Sequence, residues 1–356
     1  PDSAPAAAGE PARAGEAPIL ITGGDPAGVA PELLLALVED LHPIAAATAG
    51  GSILYFATAG TRHIQEFVEL CARRNLPARL LAGAESPQSE VESGISVIDM
   101  RLGTPGAEAF APRPGQPDAT GGRLAFAALA AACDFATLRV CRGIVTAPLS
   151  KEWVALGGAP DFRGHTEYLA ARFQRDVIML MHGRRFSVIP LTVHIALVDA
   201  PGALRERLAD PGLPELLEQV LAGSAYAGGR IAMCGLNPHC GDGGLFGRED
   251  LEFVGDWCAA MRARGIPLDG PLPADTLFMD GVRERYRLIL SCYHDQGLIP
   301  FKALEGHAGI NATIGLPIPR TSPDHGTAFD IAGRGLARVD SLRAAFRAVA
   351  RGELKL

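Results

Sequence analysis

Residues 230–265, RIAMCGLNPHCGDGGLFGREDLEFVGDWCAAMRARG, decide how the chain is read. RIAMCGLN is a short apolar run of strand type. A loop rich in Gly, Asp and Pro follows, and a helical pattern then runs from Glu249 to a stop at Gly265. Strand, turn and covering helix form the unit from which parallel α/β sheets are assembled. His239 stands in the loop, where the strand runs out. In open α/β sheets that edge, outside the carboxyl ends of the strands, is where ligands bind.

The same unit recurs on either side. APILIT (17–22), GSILYFAT (51–58), GISVIDM (94–100), GIVTAPL (143–149) and YRLILSCYH (286–294) read as strands, and VIMLM (177–181) with FSVIPLTVH (186–194) as a strand pair. PELLLALVEDL (31–41), GRLAFAALAAACDFATLRV (122–140) and LPELLEQVLAGSAYA (213–227) read as helices. The alternation predicts an α/β protein with a mainly parallel sheet covered by helices on both faces. At 356 residues the chain is long for one core, so a two-lobed α/β/α arrangement is expected. We place a tail at 1–16, one lobe at 17–147 with 301–356, and a central lobe at 148–300.

Composition narrows the function. The net charge of -7, with Lys and Arg scattered, gives no electrostatic case for nucleic acid or an anionic membrane. No apolar run approaches the roughly 18 residues of a membrane helix. Seven cysteines, an odd number without a CxxC pair, read as reduced thiols and predict a cytoplasmic protein. PDSAPAAAGEPARAGE at the start lacks a basic-then-apolar pattern, so it reads as a disordered tail and not a secretory signal.

Two further histidines close strand-like runs, His194 in PLTVHIAL (190–197) and His294 in LILSCYHDQGL (288–298). A satisfied polar residue at a strand end explains any one of the three. Together, each beside Gly, Pro or Asp, they point to a divalent metal with an open position, and Cys240 is at most an accessory ligand. GGDPAG (23–28) precedes a helix and could offer N–H groups to an anion, or be only a tight turn. It fits neither the GxGxxG nor the GxxxxGK[ST] fingerprint. TAPLSKEW and GHTEYLA repeat the strand–turn–helix form. Thr166 could cap the second helix, while His165 has no structural reason to be polar. Residues 293–335 show little periodicity and read as a long binding loop, with Lys302, Asn311 and Arg320 as anion partners.

These motifs resemble one family. GDPAGVAPE, TAPLSK, GHTEYLA, GLNPHCGDGGLFGRED, GPLPADTLF, CYHDQGLIPFK and INATIGLPIPRTSPDHGTAFDIAGRG are similar, from about Ile19 to Gly335, to the 4-hydroxythreonine-4-phosphate dehydrogenases of vitamin B6 biosynthesis. That family belongs to the isocitrate/isopropylmalate dehydrogenase-like superfamily. The resemblance implies His194, His239 and His294 as metal ligands, the third arriving from the neighbouring subunit of a homodimer with shared active sites. It implies substrate contacts at His165, Thr166, Lys302, Asn311 and Arg320, and a cofactor loop at His325, Gly326, Thr327 and Ala328. Departures are small: the first loop reads GGDPAG where a Pro-Gly-Glu variant is frequent, and Cys240 replaces a common Ala.

The implied reaction is oxidation of 4-phosphooxy-L-threonine by NAD or NADP with Zn2+, or with Mg2+ or Co2+, followed by decarboxylation. Lys151, Asp275 and His165 are candidates for the base, and spacing does not choose among them. Three other readings stand beside this one. They are a dehydrogenase of 4-phosphorylated erythronate or threonate, a dihydrodiol dehydrogenase, and a non-catalytic protein that binds phosphorylated metabolites.

Overall fold

Among the described residues the apolar runs become twelve strands of one sheet. The computed structural model describes residues 17–47, 52–81 and 94–354, so the expected tail at 1–16 lies outside the described residues. The strands are β1 (Ile19–Thr22), β2 (Ser52–Ala57), β3 (Ala78–Leu81), β4 (Gly94–Asp99), β5 (Gly143–Thr146) and β6 (Ile178–His182). They continue as β7 (Ser187–Pro190), β8 (Ile231–Cys234), β9 (Leu268–Leu272), β10 (Leu288–Ser291), β11 (Ile310–Ile314) and β12 (Arg320–Pro323). Their order is β3-β4-β2-β1-β5-β12-β11-β6-β7-β10-β8-β9. Neighbours are parallel except at β12–β11, β11–β6 and β6–β7, in the middle of the sheet. The expected α/β class and mainly parallel sheet are therefore present.

Burial explains the strand sequences. ILIT of β1, GIVT of β5, IAMC of β8 and LILS of β10 are buried at every position, as strands covered on both faces must be. Only the end strands β3 and β9 are mostly half-buried, as sheet edges are. Helix Thr61–Arg73 buries Ile64, Phe67 and Cys71, one stripe of a 3.6-residue repeat.

Three expectations need correction. The twenty-residue helix Ala119–Leu138 is long and apolar enough, by length and composition, to cross a membrane. Here Leu124, Ala128, Leu129, Ala132 and Cys133 bury one face in the core, and Asp118 caps the start by accepting from the Gly121 N–H at 2.8 Å. Second, the chain after β10 is not an uncovered loop but the helix His294–Glu305. Its pattern is masked by Gly297 and Pro300. Gly297 is needed because a Cβ there would lie 2.4 Å from Ser291 Oγ and 2.5 Å from Val188 Cγ1, so helix and sheet touch at that point. Glu305 closes this helix against the β6–β7 turn by accepting N–H bonds from Arg184, Arg185 and Phe186 at 3.0, 2.8 and 3.2 Å. Third, the rest of the expected long loop contains the antiparallel pair β11–β12.

Candidate active site

That hairpin builds the centre of the site. Register pairs Thr313 with Arg320 and Asn311 with Ser322, which brings the nine-residue spacing of Asn311 and Arg320 down to a diagonal of two positions on the hairpin. Asn311, Arg320 and Ser322 line a cleft of about 200 Å³, together with Lys151, His165, Thr166 and Glu167. Arg320 is only 3% exposed, and burial pushes its guanidinium down to about 10. It bonds to hydroxyls alone, the Oγ1 atoms of Thr146 and Thr313. A buried cation without a carboxylate partner is costly unless a ligand supplies the anion.

Two more polar atoms wait for a partner. His165 Nε2 and Asn311 Oδ1 are shut from water and make no hydrogen bond. Burial, then the charges of Arg320 and Lys151, hold His165 well below its ordinary pKa. A neutral imidazole of that kind is a poor base and a good neutral hydrogen-bond donor. His165 opens the helix His165–Phe173, whose cap is Gly164 at φ 147° with no side-chain bond. Thr166 lies inside the first turn, so it does not cap the helix. The free N–H groups of this helix start beside Arg320 and Lys151, which favours an anion.

The histidines fall into a pair and an outlier. His194 and His294 present their rings 5.7 Å apart within one chain and line a second pocket of about 220 Å³. Asp295 Oδ1 lies 2.6 Å from His294 Nδ1, and a carboxylate can only accept, so Nδ1 donates and in the neutral ring Nε2 keeps its lone pair. His239 stands exposed on the 238–244 turn, and no group of three His, Cys, Asp or Glu side chains among the described residues could hold a metal. The resemblance brought His294 from another subunit to meet His194 and His239. Within one chain it is His194 and His294 that face each other. His194 and His239 both have left-handed backbone, at φ 54° and 51°, a strain that concentrates at functional sites.

His194 also lines the phosphate-type cleft, and so do His325 and Gly326 on its other side. His325 continues into a pocket of about 300 Å³ with Val29, Ala328, Ile331 and Leu336. Thr327 does not line it; its carbonyl accepts from the Val29 N–H at 2.9 Å. Val29 directly follows the GGDPAG turn, and within the turn the Asp25 N–H goes to the Pro148 carbonyl at 2.8 Å. Those of Ala27 and Gly28 go to Asp25 Oδ1 and Asp25 O at 3.0 and 3.2 Å, so the loop serves as a tight turn and not as an anion cradle.

Two expected residues lie elsewhere. Lys302 is 52% exposed and pairs with Asp324 at 3.3 Å, outside the cleft lining. Asp275 is exposed on the short helix Ala274–Leu277, near Cys240. Reading the sequence missed Thr146, Thr313 and Asp295. Thr146 opens TAPLSK and Asp295 follows His294, but a threonine in a strand carries no signal of its own.

Comparison with known proteins places the chain in a family. Residues 55–349 match the family model "Pyridoxal phosphate biosynthetic protein PdxA". A 4-hydroxythreonine-4-phosphate dehydrogenase of Paracoccus denitrificans (strain Pd 1222) is 36% identical over 336 residues, covering 93% of this chain and 96% of its own. That of Xanthobacter autotrophicus is 36% identical over 344 residues, covering 93% and 92%. The crystal structure of the Klebsiella pneumoniae enzyme of that name superposes with a TM-score of 0.73 at 33% identity, over 94% of this chain and 99% of the other. A terephthalate 1,2-cis-dihydrodiol dehydrogenase from Burkholderia xenovorans LB400 is more distant, at 25% identity and a TM-score of 0.62 over 96% and 99%. The chain belongs to the PdxA family of pyridoxal phosphate biosynthetic proteins.

Proposed function

We propose that the chain oxidises 4-phosphooxy-L-threonine to 2-amino-3-oxo-4-(phosphooxy)butanoate, which loses CO2 to give 3-amino-2-oxopropyl phosphate for pyridoxine 5'-phosphate biosynthesis. One observation carries this reading. The cleft that holds Arg320 shares His194 with the histidine pair on one side and His325 with the 300 Å³ pocket on the other. Anion, metal-type and cofactor-type groups thus border one small volume, as a phosphorylated hydroxy acid requires.

Arg320, neutral His165 and the helix start at Thr166 hold the phosphate, while Asn311 Oδ1, an acceptor, faces a donor group of the substrate. Lys151 lines the cleft as a cation and adds charge toward the substrate anion; to take the C3 hydroxyl proton it must first release one of its own. Of the other two candidates for the base, His165 is held neutral by burial on the cleft lining, and Asp275 lies near Cys240, beside the His239 segment. His325, Gly326 and Ala328, with Thr327 holding the loop through its backbone, would hold NAD or NADP, which when bound supplies a hydride acceptor. The imidazole donors suit a divalent ion such as Zn2+, Mg2+ or Co2+, which when bound supplies Lewis acidity toward the substrate oxygen.

One chain offers two facing imidazoles, so we propose a homodimer in which the partner subunit's His239 completes the set. Exposed Ile195, Leu197, Val198, Leu245, Phe246 and Ile299, close in sequence to the three histidines, support burial of this region in such an interface. Seven free thiols support the cytoplasm.

The test is turnover of 4-phosphooxy-L-threonine with NAD or NADP and added Zn2+ or Co2+, read by absorbance at the reduced nicotinamide band and by mass spectrometry of the aminoketone phosphate. Turnover only of 4-phosphorylated erythronate or threonate would reassign the substrate. No turnover of any of them by metal-loaded protein would leave a binding protein.

A further inference from the structure

We propose that Thr146 is the positioning residue that aims Arg320 at a phosphate monoester, an inference that rests on the function proposed above. Buried arginines are ordinarily matched to carboxylates. Arg320 is not: its Nε and Nη2 both donate to Thr146 Oγ1, at 3.1 and 2.7 Å, and its Nη1 donates to Thr313 Oγ1 at 3.2 Å.

The Thr146 hydroxyl is fully committed. It donates to the Thr321 carbonyl at 3.5 Å, which turns both lone pairs toward the guanidinium. Thr146 is 0% exposed at the end of β5, and β12 runs parallel beside it, with Arg320 opposite Ile144 and Thr321 opposite Val145. The sheet therefore fixes both partners. The same residue starts the TAPLSK turn that carries Lys151 into the cleft, so one threonine sets the origin for both cations.

The neutrality of this clamp matters chemically. A carboxylate at 146 would satisfy the fork equally well and cancel its charge. Two hydroxyls fix the fork and leave the charge for the ligand. Glu167, also on the cleft, is exposed and makes no hydrogen bond to Arg320; its charge reaches the guanidinium only through space, and burial still outweighs it. A dianionic phosphate gains most from such an arrangement.

The experiment compares wild type with Thr146→Val, Thr146→Ser, Thr146→Asp and Thr313→Val. It measures binding of inorganic phosphate by titration calorimetry, KM and kcat for the phosphorylated substrate, and thermal melting. For Thr146→Val, phosphate binding should weaken and KM should rise by about 10-fold or more, with KM moving further than kcat. Thr146→Ser, which keeps the hydroxyl, should recover most of the loss, and Thr313→Val should fall between.

Thr146→Asp guards against a simple folding defect: it should melt no lower than wild type yet lose phosphate, because Arg320 gains an internal counter-ion. Wild-type phosphate affinity in Thr146→Val or Thr146→Asp would overturn the clamp while the functional reading survives. So would damage in Thr146→Ser equal to that in Thr146→Val, since packing and not the hydroxyl would then be at work. A wild-type protein that neither binds phosphate nor turns over the substrate would overturn both.

Discussion

The imidazoles of His194 and His294 face each other within one chain, with ring centroids 5.7 Å apart and planes at 41°. Two rings that share one ion approach in this way, and among the described residues no group of three His, Cys, Asp or Glu side chains completes a metal site. Subunit mixing therefore distinguishes which histidine crosses. When inactive His194→Ala and His239→Ala chains exchange, one of the two sites in each heterodimer regains all three ligands, so about half of the activity per dimer should return. A mixture of His194→Ala with His294→Ala should stay inactive, because each lesion spoils the site of its own chain. Recovery in that second mixture would show that the facing pair forms between copies. Failure of every mixture after proven exchange would remove the shared site altogether.

Metal removal gives a second expectation. Chelation should abolish turnover and added Zn2+ or Co2+ should restore it. Alanine at any one of the three histidines should do the same irreversibly, with little change in melting temperature. His194 and His239 are exposed and His294 is 38% exposed at its side chain, so no core contact is lost. Full activity in the metal-free protein would sink the assignment.

Much of this was legible before any coordinates. Continuous apolar runs marked most strands because strands covered on both faces leave no room for polar alternation. The cleft was less legible. Asn311 and Arg320 were visible as residue types, but their meeting depends on the β11–β12 hairpin, hidden in a Gly- and Pro-rich stretch. The helix His294–Glu305 was hidden for a similar reason, since Gly297 answers to a neighbouring strand and not to helix propensity. Lys302 and Asp275 show the limit of residue type alone: one chain leaves both outside the cleft lining, Lys302 on half-buried Asp324 and Asp275 near Cys240.

A third expectation concerns pH. Asp25 is fully buried, and burial, opposed by the Ala27 N–H and reinforced by Asp118, raises its carboxyl to about 6. Its Oδ2 has no partner. For an acid raised on folding, the native state is favoured while the group stays protonated. Stability should therefore fall as pH rises from about 4 through about 6. Asp25→Asn keeps an acceptor for Ala27 and removes the titration. It should flatten that slope and raise stability at pH 8, by up to roughly 3 kcal/mol for a two-unit shift. Parallel stability–pH curves for the two proteins would contradict the assignment of the slope to Asp25.

The last expectation tests the cofactor loop through a residue that touches no ligand. Gly28 packs against the loop so closely that an added Cβ would sit 2.7 Å from the Thr327 carbonyl oxygen and 3.1 Å from its Cβ. The neighbouring bond from the Val29 N–H to that carbonyl, at 2.9 Å, ties the two loops together. Backbone cannot swing aside as a side-chain end can, so Gly28→Ala must push Thr327 outward. The displacement passes to His325 and to Ala328, which already holds a left-handed φ of 44°. KM for NAD or NADP should therefore rise by about 10-fold, the cost of about 1.4 kcal/mol of misplaced contact. Phosphate affinity, which depends on Arg320 and the helix start at His165, should stay near the wild-type value. An unchanged cofactor KM in a variant that melts normally would show that the 325–328 loop does not carry the nicotinamide cofactor.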